Sequence, residues 1–227
     1  MAVLKSSLAF IVLAFAFFLC FIMSAGSYDY FQFVQQWPPT NCKVRGKPCS
    51  KPRPLQIFTI HGLWPSNYSN PTRPSNCIGS LFEEGKLYPQ LRLNLKRSWT
   101  EVESGNDTTF WSGEWNRHGR CSEQTLNQRQ YFERSHAMWN SYNITDILEN
   151  AQIVPNATQT WKYSDIVSPI KTATGRTPLL RCTSDPKKSR NYQFLHEVVF
   201  CYGYRATKQI DCNRTAGCWN NVDIKFE

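Results

Sequence analysis

The sequence has 227 residues, 14% of them aromatic, and a formal net charge of +9. This length allows one or two domains, and the absence of repeats or low-complexity tracts excludes a repeat array and a disordered chain. The charge fits a polyanionic partner: nucleic acid, acidic polysaccharide or a membrane surface. Short basic clusters at residues 51–53, 96–97 and 187–190 are equally typical of an ordinary solvated surface.

Residues 1–26 predict a secretory signal peptide. Lys5 precedes a mostly apolar run over residues 8–23, which ends in Ser24, Ala25 and Gly26. Charge, apolar stretch and small residues follow one another in this order in signal peptides. The alternative is a membrane anchor, but the run is shorter than the ~20 residues that a spanning helix needs. We therefore expect cleavage near Gly26 and a secreted single domain over residues 27–227, without a membrane segment.

Strands are predicted at four places. Residues 28–34 are aromatic-rich and run into a turn at residues 37–39, and residues 56–61 form a strand that ends at Gly62. Residues 66–80, rich in Asn, Pro and Ser, predict a loop. Residues 192–202 alternate as in a central strand, and residues 222–226 predict a last short one.

Helices are predicted over residues 106–121, 124–142 and 164–172, the last broken near Pro169. The first has capping side chains at residues 106–108 and Gly119 at its far end. Because strands and helices mix without regular βαβ order, we expect an α+β fold, an antiparallel sheet core flanked by helices.

Eight cysteines lie beyond the predicted signal peptide. An even number in an exported chain indicates four disulfides. Zinc is the alternative, but no close cysteine pair is followed by another pair or by two histidines at finger spacing. Eight cysteines allow on the order of a hundred pairings, among which the sequence does not choose.

Five glycosylation sequons also favour export. A single sequon arises easily by chance, whereas five behind a signal peptide predict a glycoprotein. The acceptors are Asn67, Asn106, Asn143, Asn156 and Asn213.

His118 is the first candidate for chemistry. Phe110 and Glu114 precede it at steps of four, so the three share one helix face, with Arg117 beside it. We expect the Glu114 carboxylate and the helix C-terminus to favour the imidazolium of His118. The alternative is a surface pair without function. Trp111 and Trp115 form a neighbouring stripe that is interpreted as core.

His61 is the second candidate, although a histidine that ends an apolar strand is more often a satisfied core residue. Gly62 permits a close approach of backbone or ligand, and Trp64 supplies an aromatic surface on which a base could stack. His136 and His196 lie among apolar neighbours and are interpreted as structural.

Two histidines, a carboxylate and a cation suit the cleavage of RNA, which carries its own nucleophile, the 2′-hydroxyl. A neutral imidazole can accept that proton while an imidazolium protonates the departing 5′-oxygen, and a guanidinium can stabilise charge on phosphorus. The sequence has no nucleophile elbow, phosphate-binding loop or metal-spaced carboxylate cluster. We therefore expect no metal or cofactor.

Two segments resemble the active-site segments of the ribonuclease T2 family. They are FTIHGLWP at residues 58–65 and FWSGEWNRHGRC at residues 110–121. Residues 28–42 and 174–182 further resemble the self-incompatibility ribonucleases of plant pistils. The resemblance implies an α+β fold and cleavage of single-stranded RNA through a 2′,3′-cyclic phosphate to a 3′-phosphate. It further implies a monomer, with RNA as substrate and pollen F-box proteins as candidate partners.

The resemblance also implies residue roles. His118 becomes the general base and His61 the general acid, while Glu114 and Arg117 support the transition state. Trp64 and Phe110 match positions that contact bases. The implied disulfides are Cys42–Cys49, Cys77–Cys121, Cys182–Cys218 and Cys201–Cys212.

Two positions depart from the family pattern. Arg117 stands where Lys is usual, and Gly113 where many relatives carry a third, phosphate-holding histidine. We expect weaker substrate binding rather than loss of chemistry. The alternatives are a family member that lost activity and acts in binding or storage, and a secreted polysaccharide-binding defence protein. The loop over residues 66–80 is expected to take part in recognition of pollen proteins.

Overall fold

The computed structural model describes residues 27–44, 49–50, 55–69, 73–184, 191–213, 217–219 and 221–227. The predicted signal peptide and the basic clusters at residues 51–53 and 187–190 lie outside these ranges. Within them, no helix is long and apolar enough to cross a membrane.

A sheet with the strand order β2–β1–β4–β3 forms the centre of the fold. Its strands are β1 (Tyr30–Gln36), β2 (Thr59–Ser66), β3 (Leu179–Ser184) and β4 (Tyr192–Gly203), and neighbours pair in the antiparallel direction. Two short strands join β4: β5 (Gln209–Ile210) antiparallel and β6 (Asp223–Lys225) parallel. The predicted antiparallel core is confirmed, with β6 as a parallel addition.

Helices flank this sheet. They are α1 (Pro38–Val44), α2 (Pro89–Ser98), α3 (Asp107–Arg117), α4 (Gln128–Ser141), α5 (Ile144–Asn150) and α6 (Tyr163–Thr174), with 3-10 turns at Glu84–Lys86 and Gly119–Ser122. Trp115 of α3 and Tyr131 of α4 are fully buried in one large core with Phe33 of the sheet. A smaller cluster, which includes Val34, Trp64 and Val199, lies on the other side of β1 and β4.

Several predicted boundaries are wrong. Gly62 does not end its strand, because β2 continues to Ser66 in register with β1. Pro38 begins helix α1 rather than a turn, since proline fits the first helical position. Pro169 does not break α6, which runs on until Gly175 adopts φ +68°. The buried Ile166 and Ile170 on either side of Pro169 hold that helix against the core.

Helix α3 ends at Arg117, short of the predicted end at residue 121, and residues 119–122 continue as a 3-10 turn. The predicted cap at its start is confirmed, since the Asn106 side chain accepts a hydrogen bond from the Thr109 amide. Helix α4 begins at Gln128 and not at residue 124, because Asn127 and Gln130 form a reciprocal capping box there.

Four disulfides fasten this architecture, and their pairs are those that the resemblance implies. They are Cys42–Cys49, Cys77–Cys121, Cys182–Cys218 and Cys201–Cys212. The second pair ties the loop after β2 to the turn that follows α3. The two segments with candidate histidines are therefore covalently linked.

Candidate active site

His61 lies at a bulge in strand β2. Gln35 of β1 pairs with Ile60 and Val34 pairs with Gly62, so His61 is the extra residue of the ladder. Bulges re-aim side chains and occur beside active sites. The backbone at this point is fixed from the core side, since the Trp99 indole donates a 3.1 Å hydrogen bond to the His61 carbonyl.

The His61 imidazole faces a buried carboxylate. Its Nδ1 atom lies 2.5 Å from Oε1 of Glu197 on β4, and Arg181 on β3 donates a 2.9 Å hydrogen bond to the other carboxylate oxygen. Burial lowers the pKa of His61, but the charge and hydrogen bond of Glu197, together with the charge of Glu114, outweigh burial and raise that pKa above 6.5. The pKa of Glu197 is held low by His61 and Arg181 against the effect of burial.

A second bulge directs Glu197 to this place. Arg181 pairs with Glu197 and Cys182 with Leu195, so His196 is the extra residue of β4. The regular alternation predicted for residues 192–202 is therefore interrupted at His196. The His196 ring instead lies 3.4 Å from the Asn41 side chain on α1.

Trp64 links the two candidate histidines. Its ring centroid lies 4.9 Å from that of His61 and 5.3 Å from that of His118. The indole N–H donates a 2.7 Å hydrogen bond to Oε2 of Glu114, which is 8% exposed. Burial raises the pKa of Glu114, although His61 and this hydrogen bond oppose the shift. The structure thus brings His61, Trp64, Glu114 and His118 together around one indole.

Gly62 is a point of close approach, and the atoms that approach it are side-chain atoms of Trp64 and Glu114 rather than the predicted backbone or ligand. A Cβ atom added at Gly62 would lie 2.3 Å from Glu114 Oε2 and 2.2 Å from Trp64 Nε1. Any larger residue at this position would displace the Trp64–Glu114 hydrogen bond.

His118 behaves differently from His61. Its ring is 7% exposed, and burial followed by the charge of Arg73 lowers its pKa to about 4. The expectation that Glu114 and the helix end favour its imidazolium is wrong, because the Glu114 side chain bonds to Trp64 instead. His118 is therefore neutral at pH 7, while the pKa of His61 lies above its ordinary range.

The remaining predicted residues surround these rings. Phe110 is half-buried with its ring centroid 6.0 Å from that of His61. Arg117 is exposed at the end of α3, and its charge lowers the pKa of both His118 and Glu114. Trp64 is only 4% exposed, and two guanidiniums lie over its ring, that of Arg73 at 4.1 Å and that of Arg181 at 5.1 Å from the centroid. In this arrangement the ring offers little surface to a base.

Comparison with known proteins identifies the family of this chain. The model of the Ribonuclease T2 family matches residues 28–212. The chain belongs to the Ribonuclease T2 family. Ribonuclease MC of Momordica charantia is 38% identical over 188 residues, which cover 82% of this chain and 95% of that protein. Extracellular ribonuclease LE of Solanum lycopersicum is 34% identical over 225 residues, 97% of this chain and 96% of that protein.

Solved structures show the same likeness. The structure of ribonuclease MC1 from the seeds of bitter gourd matches with a TM-score of 0.80 and 37% identity, over 88% of this chain and all of that one. The Japanese pear S3-RNase matches with a TM-score of 0.75 and 30% identity, again over 88% of this chain and all of that one. As a Ribonuclease T2 family member, this protein is an endoribonuclease whose substrate is RNA.

Sequence reasoning missed three charged residues of this T2 site: Arg73, Arg181 and Glu197. A signal existed for Glu197, because a lone carboxylate inside a strongly apolar central strand needs a buried partner. Arg181 lies in the segment over residues 174–182, which resembles the plant pistil ribonucleases, but the resemblance assigned it no role. Arg73 carried no signal, since its place over Trp64 depends on the path of a loop.

Proposed function

We propose that this protein is a secreted endoribonuclease that cleaves single-stranded RNA by transesterification, with His118 as general base and His61 as general acid. The observation that supports this division most directly is the opposite effect of the surroundings on the two imidazoles. Both rings lie against Trp64, yet the pKa of His61 is raised and that of His118 is lowered to about 4.

In the first step, His118 accepts the proton of the 2′-hydroxyl as its oxygen attacks phosphorus. The bond from phosphorus to the 5′-oxygen breaks, and His61 donates its proton to the departing oxygen. The products are a 2′,3′-cyclic phosphate and a free 5′-hydroxyl. Water then opens the cycle with the two roles exchanged and leaves a 3′-phosphate. His118 is 7% exposed and hydrogen-bonds to the backbone of Pro74, so this contact has to open before a hydroxyl reaches the ring.

The other residues have supporting roles in this proposal. Arg117 stabilises the extra negative charge on phosphorus, and Glu114 holds the Trp64 indole between the two histidines. Phe110, half-buried beside His61, offers a surface for a base. No step requires a metal or a cofactor.

The test is cleavage of a single-stranded oligoribonucleotide in excess EDTA by the parent protein and by His61→Ala, His118→Ala and His136→Ala. We expect a cyclic phosphate product from the parent and the His136 variant. Either active-site variant should lose at least about a hundredfold in rate, the usual contribution of one general acid or base. His136 is the matched control, because its Nδ1 atom contacts Ser98, away from the proposed acid–base pair. A folded parent without activity would favour the binding or storage alternative.

We further propose export through the N-terminal signal. The four disulfides, the tomato relative named as extracellular and the exposed sequons support it. Asn106 and Asn143 are exposed, and each accepts a backbone hydrogen bond through Oδ1. Their amide nitrogens are therefore available for glycan attachment. Sequencing the N-terminus of protein from the medium of secreting cells tests this, with cleavage near Gly26 expected. Retention of residues 1–26 in a cell-associated product would contradict it.

A narrower proposal is a role as the pistil determinant of self-incompatibility. The likeness to the Japanese pear S3-RNase supports it, and the loop over residues 66–80 is the proposed contact for pollen F-box proteins. Exchange of this loop with that of another allele, alone or with other variable patches, should change which pollen is rejected. Unchanged rejection would leave the general ribonuclease function without this role.

A further inference from the structure

We propose that Arg73 binds a phosphate of the RNA beside His118 and is a substrate-binding residue of this site. This inference rests on the proposed function above. Arg73 follows β2 in the chain and is far in sequence from α3. Its guanidinium lies 4.1 Å from the centroid of the Trp64 ring.

The position of Arg73 points to a phosphate. Both candidate histidines lie against the same indole, so a phosphodiester held between them must pass close to Trp64. A guanidinium stacked on an aromatic face keeps its N–H groups in its own plane, where they can meet phosphate oxygens in pairs. Trp64 is itself fixed by Glu114, so this stacking surface is prepared before substrate arrives.

Arg73 forms no direct ion pair with the described part of the protein, although Glu197 and Glu114 attract its charge from farther away. In the described ranges no carboxylate lies within ion-pairing distance of Arg73, whereas the nearby Arg181 is paired with Glu197 at 2.9 Å. Arg73 is half-buried, and burial, with the repulsion of Arg181, lowers its pKa to about 10. It therefore remains charged at pH 7. A half-buried cation without a direct ion-pair partner is stabilised when an anion binds to it.

Arg73 also supplies a cation to a site in which Gly113 has no side chain to offer. No heavy atom lies within 4 Å of a Cβ built at Gly113, so nothing else occupies that position. Two guanidiniums, those of Arg73 and Arg117, act on His118. The charge of each lowers the pKa of His118, which indicates that both lie near it.

The experiment measures binding without cleavage. A single-stranded oligodeoxynucleotide lacks the 2′-hydroxyl, so its affinity can be followed from low to moderate salt for the parent, Arg73→Gln, Arg73→Lys and Arg92→Gln. Arg92→Gln is the matched control. It removes the same charge from Arg92 on α2, which forms an ion pair at the surface with Glu84. The thermal midpoint of each variant confirms that it is folded.

We expect Arg73→Gln to weaken binding about tenfold, as for one lost hydrogen bond to a charged group. The slope of log K against log salt should become less steep by about 0.7, the value for one phosphate contact on a single strand. Arg73→Lys should keep the slope but not the full affinity, because it retains the charge without the planar fork. Arg92→Gln should match the parent.

An unchanged slope in Arg73→Gln, or the same change in Arg92→Gln, would overturn the inference. Tighter binding by Arg73→Gln would also overturn it and make Arg73 a cover that competes with substrate. These outcomes are independent of catalysis. A parent that binds through Arg73 yet cleaves no RNA would contradict the proposed function alone, and a parent that cleaves with an unchanged Arg73→Gln slope would contradict this inference alone.

Discussion

The indole N–H of Trp64 and the Glu114 carboxylate form a buried 2.7 Å hydrogen bond that joins the two active-site segments. Glu114 lies on α3 and Trp64 on β2, so this contact sets the distance between the helix that carries His118 and the strand that carries His61. The same indole supports the Arg73 guanidinium. The positions of the proposed acid, the proposed base and the proposed phosphate-binding cation thus depend on one pair of side chains.

Replacing Trp64 with Phe should weaken both stability and catalysis. The ring is retained, but the buried Glu114 loses its donor, which costs about 1–3 kcal/mol of unfolding free energy. The rate should fall roughly ten- to hundredfold as the histidines lose their fixed separation. Urea unfolding and kcat/KM measure the two effects. Trp219→Phe, at a ring that is 57% exposed, is the control and should change stability by less than about 0.5 kcal/mol. Equal effects of the two substitutions would refute the proposed role of the hydrogen bond.

Two glycine-to-alanine substitutions should have opposite effects. Gly62→Ala places a Cβ at 2.3 Å from Glu114 Oε2, so it should cost about 1–3 kcal/mol of stability and lower kcat/KM. Gly113→Ala adds a methyl group to open space inside helix α3, where Ala is favoured over Gly by about 1 kcal/mol. It should stabilise the protein and leave kcat/KM unchanged. A Gly62→Ala enzyme with parental activity would contradict this account of the site.

The sequence predicted the two histidine segments and the antiparallel sheet well because each depends on local patterns. The Asn106 cap and the alternation of β4 outside its bulge can each be predicted from a few neighbouring residues. The bulges at His61 and His196 were not predicted, since each is defined by pairing with a distant strand. The contact between His61 and Glu197, which raises the pKa of the proposed acid, joins residues 136 positions apart and follows from those bulges.

The carboxylate of Glu197 should determine the alkaline limit of activity. In its proposed role as general acid His61 must be protonated, so kcat/KM should fall as pH rises through the pKa of His61. In Glu197→Gln, burial and the unpaired Arg181 both lower that pKa, and the alkaline limb should move to lower pH. Profiles of kcat/KM against pH measure this shift. Glu84→Gln, an exposed carboxylate in an ion pair with Arg92, is the control. Coincident alkaline limbs for Glu197→Gln and the parent would exclude this role.

His118 should make the folded protein less stable in acid. Its pKa is about 4 in the folded protein against 6.5 for an ordinary histidine, so the unfolded chain binds the proton first as pH falls. Stability is therefore lost between about pH 6.5 and 4, by on the order of 3 kcal/mol from this group. The unfolding free energy of His118→Gln should lack this contribution. Parallel curves for the parent and the variant over this range would be inconsistent with a neutral, buried His118.

His61 should act in the opposite direction. Its pKa is raised in the folded protein, so its stabilising contribution is full below pH 6.5 and is lost as pH rises through the folded value. In His61→Gln the decline of unfolding free energy above pH 6.5 should be shallower than in the parent. An unchanged decline would show that Glu197 does not hold the His61 proton in solution.

NMR titration of both imidazoles in the intact protein is the sharpest test of the proposed acid and base roles, with assignments from His61→Gln and His118→Gln. We expect His61 to titrate above pH 6.5 and His118 to stay neutral until about pH 4. If His118 titrated above His61, or both titrated together near 6.5, the assignment of His61 as acid and His118 as base would be wrong.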